Sequence, residues 1–228
     1  RTLSGAPFLT SSFGAAKAIE IYGSEAQKAK WLPGLASGES IGTVAIASGA
    51  DALPKQPQLV FADDRIDGMA TGVSGGLVAD IAIALVQGHD GPALVVASLA
   101  GVERQAIDSF DNSRCIANLH FAATPAEVLV EGEEAHAAAL HILALQAVIT
   151  AHEQTGGAEM LMETGRDYAV TRRAFGQVIG SFQSVKHRIA ELYALVELAR
   201  ANCIHAASRE GKDGFITAAA AARLSATE

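Results

Sequence analysis

The chain has 228 residues, half of them hydrophobic and 5% aromatic, with a formal net charge of −8 at pH 7. Abundant alanine with few aromatics favours helices packed through small side chains over an aromatic-rich β-sandwich, and the acidic balance argues against a general nucleic-acid binder, which needs clustered cations. No unbroken run reaches the ~20 apolar residues that span a bilayer, no secretory segment is visible, and Cys115 and Cys203 read as free, buried thiols, so a cytoplasmic protein without a membrane span is expected.

Residues 8–22 carry a helical pattern that ends at Gly23. Ser24 then caps a second helix, with Gln27 at capping-box spacing. That helix reaches Trp31 and is expected to end at Pro33. A turn at Ser37, Gly38 and Glu39 leads into an apolar run, 41–47, read as a strand. Residues 58–62 and 65–70 flank Asp63 and Asp64 as a hairpin, and 80–87 and 93–99 flank the turn sequence GHDGP. From 115 to 121, Ile116, Asn118 and His120 alternate with Ala117, Leu119 and Phe121, the period of a half-buried antiparallel strand. Short strands with polar turns predict a small antiparallel β-barrel or sandwich.

Beyond Glu131 the pattern turns helical. Glu133 and Glu134 suit the start of a long helix, which runs through Leu140, Leu143, Ala147, Val148 and Ala151 towards Arg172. Gly156 and Gly157 are expected to interrupt it, either for close helix packing or to leave room for a ligand. Arg172 and Arg173 close it. In the connection RRAFGQVIGSFQSVKHR, residues 172–188, Phe175, Ile179 and Phe182 read as apolar anchors, while Gly176 and Gly180 permit backbone that a Cβ would hinder. Val185, Ile189, Leu192, Val196, Ala199 and Cys203 then form a bundle seam, with Lys186, Arg188, Glu191, Glu197 and Arg200 largely outside it. A turn at Lys212, Asp213 and Gly214 precedes a last alanine-rich helix. The expected fold is α+β and multi-domain: a helical segment (1–40), a β-domain (41–131) and an antiparallel helical bundle (132–228).

Few constellations point to chemistry from residue type alone. His136 and His141 are five apart and share no helical face, so no metal pair is expected. His120 reads as a strand-surface histidine, and His187 as a surface partner of Glu191. Asp63, Asp64 and Asp67 read as a solvated hairpin tip, and Cys115 has no local histidine to make it a nucleophile. Gly72, Gly75 and Gly76 mark a turn.

The sequence YAVTR, then RxxFG at Arg172–Gly176, FQ at Phe182–Gln183 and ELARAN at 197–202, resembles the C-terminal helical domain of acyl-CoA dehydrogenases. YGSEAQKAKWLPGLASGESIGTVAIA resembles the same family's passage from its N-terminal helices into its central β-domain, and relative to that family both ends look cut. The resemblance implies an FAD-dependent oxidoreductase that introduces an α,β double bond into an acyl-CoA thioester, working as a homo- or hetero-oligomer, dimer or tetramer, with electron-transfer flavoprotein as acceptor. It implies that Arg172, Phe175 and Gln183 reach a neighbouring subunit's FAD, and that Ser74 lies beside the flavin ring. Where many relatives read threonine–glutamate–proline, this chain has Ala47 and Ser48. The catalytic base is not identified: the helical position for it holds Gln146, whose amide is no base, and Glu153 is the nearest other candidate. An alternative is therefore a non-catalytic partner subunit that completes the FAD site of its neighbour.

Overall fold

The computed structural model describes residues 7–47 and 51–227, and the chain divides into two compact units between Gln146 and Ala147. Its first helical segment is continuous but not uniform. α1 (Phe8–Thr10) and α2 (Lys17–Tyr22) are joined by a π-helical stretch, Ser11–Ala16. This stretch lies against β1 (Gly42–Ala45) at backbone distance: a Cβ on Gly14 would fall 2.5 Å from Val44 Cγ2, and one on Gly42 2.4 Å from Ala15 Cβ. The Gly42 amide also donates to Ser11 Oγ at 3.0 Å. The expected helix is present, but nothing in its local sequence announces the π-turn.

α3 (Glu25–Ser37) begins with the expected capping box, Gln27 N–H donating to Ser24 Oγ and Ser24 N–H to Gln27 Oε1. It does not end at Pro33. Proline forfeits one intrahelical hydrogen bond, yet the helix continues to Ser37 and stops only where Gly38 turns left-handed at φ +79°.

β2 (Leu59–Ala62), β3 (Arg65–Val73), β4 (Ile81–Gly88), β5 (Gly91–Ser98) and β7 (Ala117–Glu131) close into a barrel in the order β4–β2–β3–β7–β5–β4, while β6 (Glu103–Ala106) pairs with β7. Closure leaves no free edge in that ring. Not every pairing is antiparallel as expected: one edge of β4 is shared by β1 and β2, both parallel to it. Ile81–Val86 are buried throughout, so β4 has two covered faces, which is why it reads as an unbroken apolar run. The β2–β3 hairpin turns at Asp63 and Asp64, with φ of 50° and 56°, as a two-residue primed turn requires. In β7 the predicted alternation appears, Ala117, Leu119 and Phe121 buried and His120 exposed. Leu119, Phe121, Ile66, Val86 and Val95 belong to the barrel's core cluster.

α4 (Glu133–Thr171) is one helix of 39 residues, unbroken at Gly156 and Gly157. Two glycines cost about 2 kcal/mol against alanine, too little to break so long a helix. A Cβ at either would meet nothing within 4 Å, so close packing inside this chain does not explain them. By length and composition α4 is also apolar enough to cross a bilayer, with mean hydropathy 1.3 over its best window, 44% of which is buried. Alanines raise that average without any unbroken apolar run, and a bundle's core helix has the same composition.

In the second unit, β8 (Arg173–Ala174) and β9 (Gln177–Val178) form a minimal hairpin, followed by α5 (Gln183–Ser208) and α6 (Phe215–Ser225). The α5 seam is buried only in its later part, at Val196, Ala199, Cys203 and Ala206. Earlier, Val185 and Ile189 are half-buried and Leu192 is exposed. Leu161, Met162, Ile189, Leu192, Leu195 and Val196 line an apolar groove of about 310 Å³ there. Arg200 bridges to Glu159 of α4 at 2.7 Å. Glu191 pairs with Arg188 at 3.3 Å rather than with His187, the guanidinium on its long stem supplying the donor.

Candidate functional site

The connection between α4 and α5 is held by its backbone. The Arg172 amide donates to Tyr168 O at 2.9 Å, and Ile179 N–H donates to Arg172 O at 2.8 Å. Ser181 Oγ donates to Val178 O at 2.6 Å. A Cβ on Gly180 would lie 2.9 Å from Ala169 O, so glycine is what lets the 3-10 turn Ile179–Ser181 sit directly on α4.

At the hairpin tip Phe175 and Gly176 have φ of 53° and 81°. A non-glycine residue held left-handed is uncommon, and here the turn directs the ring outwards. Phe175 is 97% exposed, so it is no anchor within the chain, whereas Ile179 and Phe182 are half-buried. Phe182 lies edge-on to Phe175 at 6.4 Å between centroids. Arg172 and Gln183 are exposed too, and neither side chain bonds to another described residue. A rigid scaffold thus presents a guanidinium fork, an aromatic face and an amide on one short connection. Such a set suits a ligand with phosphates and a planar ring.

Ser74 belongs to the first unit, in the turn after β3. Its carbonyl accepts a 2.6 Å hydrogen bond from Thr43 Oγ1, a fully buried hydroxyl. The Gly75 amide donates to Arg114 O at 2.8 Å, and a Cβ on Gly75, at φ +74°, would press on Thr10 Oγ1 at 3.1 Å. Gly72 N–H donates to Asn118 Oδ1. The turn is therefore braced from three sides, leaving the Ser74 hydroxyl unspent among the described residues. Ala47 is exposed, and Ser48 lies outside the described residues.

Gln146, on the first-unit part of α4, is half-buried, its Nε2 3.4 Å from Leu9 O. Glu153 is exposed in the second unit. The candidates thus fall into two sets, Ser74 and Gln146 in one unit, and Glu153, Arg172, Phe175 and Gln183 in the other. Three of the histidines have contacts away from these candidates: His136 bonds to Pro54 O, His120 faces Glu103 at 3.6 Å, and His141 Nδ1 meets Tyr22 Oη at 2.8 Å. Burial raises the Tyr22 phenol above its ordinary pKa. No group of metal-ligating side chains occurs among the described residues. Cys203 is buried, Cys115 only half so, and both are free. Sequence reasoning missed the Thr43 brace and the Tyr22–His141 pair, because residues 31 and 119 apart share no local pattern.

Residues 2–39 match the family model described as "Acyl-CoA dehydrogenase, N-terminal domain" and residues 136–228 the one described as "Acyl-CoA dehydrogenase, C-terminal domain", together more than half of the chain. Among curated proteins, Acyl-CoA dehydrogenase FadE34 of Mycobacterium tuberculosis is 32% identical over 195 residues, covering 83% of this chain and 25% of that protein. Acyl-CoA dehydrogenase FadE27 of the same organism is 30% identical over 216 residues, covering 93% of this chain and 57% of that protein. Among solved structures, the ChsE4-ChsE5 complex of M. tuberculosis superposes with a TM-score of 0.83 at 25% identity, covering 97% of this chain and 61% of that one. A Tcur3481-Tcur3483 steroid ACAD variant gives 0.80 at 27%, covering 94% and 59%. The chain spans between a quarter and three-fifths of the length of these relatives.

Proposed function

Because the chain belongs to the acyl-CoA dehydrogenase family, we propose that it is a subunit of an FAD-dependent oxidoreductase that desaturates an acyl-CoA thioester. The observation that carries this reading is the braced hairpin with its outward Arg172 and Phe175. An aromatic ring 97% exposed on a pinned left-handed turn gains little burial within its own chain, its contact with Phe182 being edge-on. It fits a ligand completed by a second subunit. Arg172 would bind the FAD pyrophosphate of that neighbour, with Phe175 against its rings and Gln183 donating from its amide. Ser74, its hydroxyl unspent, would hydrogen-bond the chain's own flavin. Bound FAD supplies the hydride acceptor. A carboxylate must take the α-proton, and Glu153 is the candidate in this chain. The reading includes a homo- or hetero-oligomer, electron-transfer flavoprotein as acceptor and a cytoplasmic location.

A second reading is favoured by Gln146. An amide at the helical base position makes the chain the non-catalytic subunit of a heteromer whose partner supplies the carboxylate. Two of the similar structures are named for two proteins each, the ChsE4-ChsE5 complex and the Tcur3481-Tcur3483 pair.

One experiment addresses both. Arg172→Ala should lower the flavin retained after dialysis while leaving the far-UV circular dichroism unchanged. Equal flavin content would count against the hairpin's role. Anaerobic bleaching of the retained flavin by acyl-CoAs separates the readings, since a non-catalytic subunit holds flavin without bleaching it.

A further inference from the structure

Gln146 has a structural task that bears on its chemistry. Its side chain lies over the bare Cα of Gly14, in the middle of the π-helical stretch. A Cβ on Gly14 would fall 2.8 Å from Gln146 Nε2, 2.5 Å from Val44 Cγ2 and 3.6 Å from Leu9 O. The same nitrogen donates to Leu9 O, one turn before Gly14. A π-turn interrupts the regular i→i+4 ladder, and this one is flanked by β1 on one side and the Gln146 amide on the other. We propose that Gln146 is a positioning residue that clamps the π-helical turn Ser11–Ala16 to α4, and that this clamp removes position 146 from acid–base chemistry.

The physical reason is donor count. A side-chain amide offers N–H to a carbonyl, whereas an ionised carboxylate offers only acceptors. A glutamate at 146 would set a negative charge against Leu9 O in a half-buried site. Among the described residues around it no cation is placed to compensate it: neither Phe8–Ala16 nor β1 carries an ionisable side chain. Lys17, just beyond, is paired with Glu20 at 3.0 Å. On α4 itself, His141 is engaged by Tyr22, and His152 and Glu153 lie nearly two turns on. Desolvation and the facing carbonyl would therefore raise the folded-state pKa of that glutamate. Its protonated form donates O–H to Leu9 O and restores the clamp. Stability would be fully present below the unfolded value of about 4.3 and would fall as pH rises through the native one.

That position 146 matters for proton abstraction rests on the family reading; the clamp does not. The test is therefore thermal unfolding of the whole chain, with or without flavin, from about pH 4 to 8. Gln146→Glu should match the parent at the acid end and lose about 2–6 °C in Tm by neutral pH. Gln146→Met, of similar shape but without a donor, should lose stability equally at all pH values. Should Gln146→Glu fail to fold at neutral pH, recovery of its folded signal at acid pH supports the clamp. A Gln146→Glu profile parallel to the parent's, or a Gln146→Met variant as stable as the parent, would overturn it.

Discussion

The barrel and the paired helices handle the same problem, apolar surface, in opposite ways. In the first unit β4 buries every residue from Ile81 to Val86, and the strand ring closes on itself, so both faces of that strand are covered within the chain, although Val60 of β2 and Met69 of β3 stay exposed. In the second unit Leu161 is 75% exposed, Leu224 74% and Ile204 59%. Scattered exposed apolar residues such as Leu224 and Ile204 are ordinary, but Leu161 lines one groove together with the exposed Leu192 and Leu195. The comparison separates where stability resides from where association is expected. Burial of Leu119 and Phe121 serves the fold, whereas Leu161 and Leu195 stay exposed beside the groove. The sharpest test substitutes one residue from each. Leu119→Ala should cost about 2–5 kcal/mol in urea unfolding, by lost transfer energy and a cavity in a closed ring. Leu161→Ala should change stability by no more than about 0.5 kcal/mol, its effect appearing in sedimentation as weaker self-association. Equal costs in the two units would erase the contrast.

An intermediate effect is expected at Gly180, where the second unit packs at backbone distance. Gly180→Ala forces a Cβ to 2.9 Å of Ala169 O, an atom of the helix backbone that cannot swing away. The overpacking should cost about 1–3 kcal/mol. Because Gly180 seats the turn that fixes the hairpin, the variant should also lose flavin with Arg172 and Phe175 intact. A fully stable Gly180→Ala protein would show the connection to be looser than its hydrogen bonds imply.

Local chemistry was legible in the sequence wherever a few adjacent residues decide the outcome. Ser24 with Gln27 predicts the cap, Asp63–Asp64 predicts the turn, and the alternation at 117–121 predicts which face of β7 is buried. What depends on distant partners was not. Residues 11–16 read as ordinary helix, and only the approach of Val44 and Gln146 to Gly14 accompanies its π form. Pro33 and Gly156–Gly157 carry breaker signals whose cost is outweighed by the length of regular helix around them. The parallel pairing of β4 with β2 follows from closing the ring, and β1 adds to the same edge of β4; no strand encodes either alone. At the candidate site, the RxxFG sequence directs attention to Arg172 and Phe175. That Phe175 turns outwards is a consequence of its φ of 53°, invisible in the residue's own apolarity.

The smallest effect concerns Tyr22, at the end of α2, whose hydroxyl meets His141 Nδ1 of α4 across 119 residues of sequence. This contact ties the N-terminal helices to the start of the long helix inside the first unit, alongside the Gln146 clamp. Tyr22→Phe keeps the ring and its edge-on contact with the imidazole but removes the hydrogen bond, at a cost of about 1 kcal/mol near neutral pH. The alkaline limb carries a second signature. Burial raises the phenol's pKa in the folded state, so the native chain keeps this proton to higher pH than the unfolded chain does. Stability linked to Tyr22 is therefore complete below the unfolded value of about 10 and declines as pH climbs through the native value. With phenylalanine nothing titrates there, and the loss of stability above pH ~10 should be shallower than in the parent. Chemical unfolding at neutral and alkaline pH measures both terms, and an alkaline slope unchanged by Tyr22→Phe would mean that the phenol is as well solvated folded as unfolded.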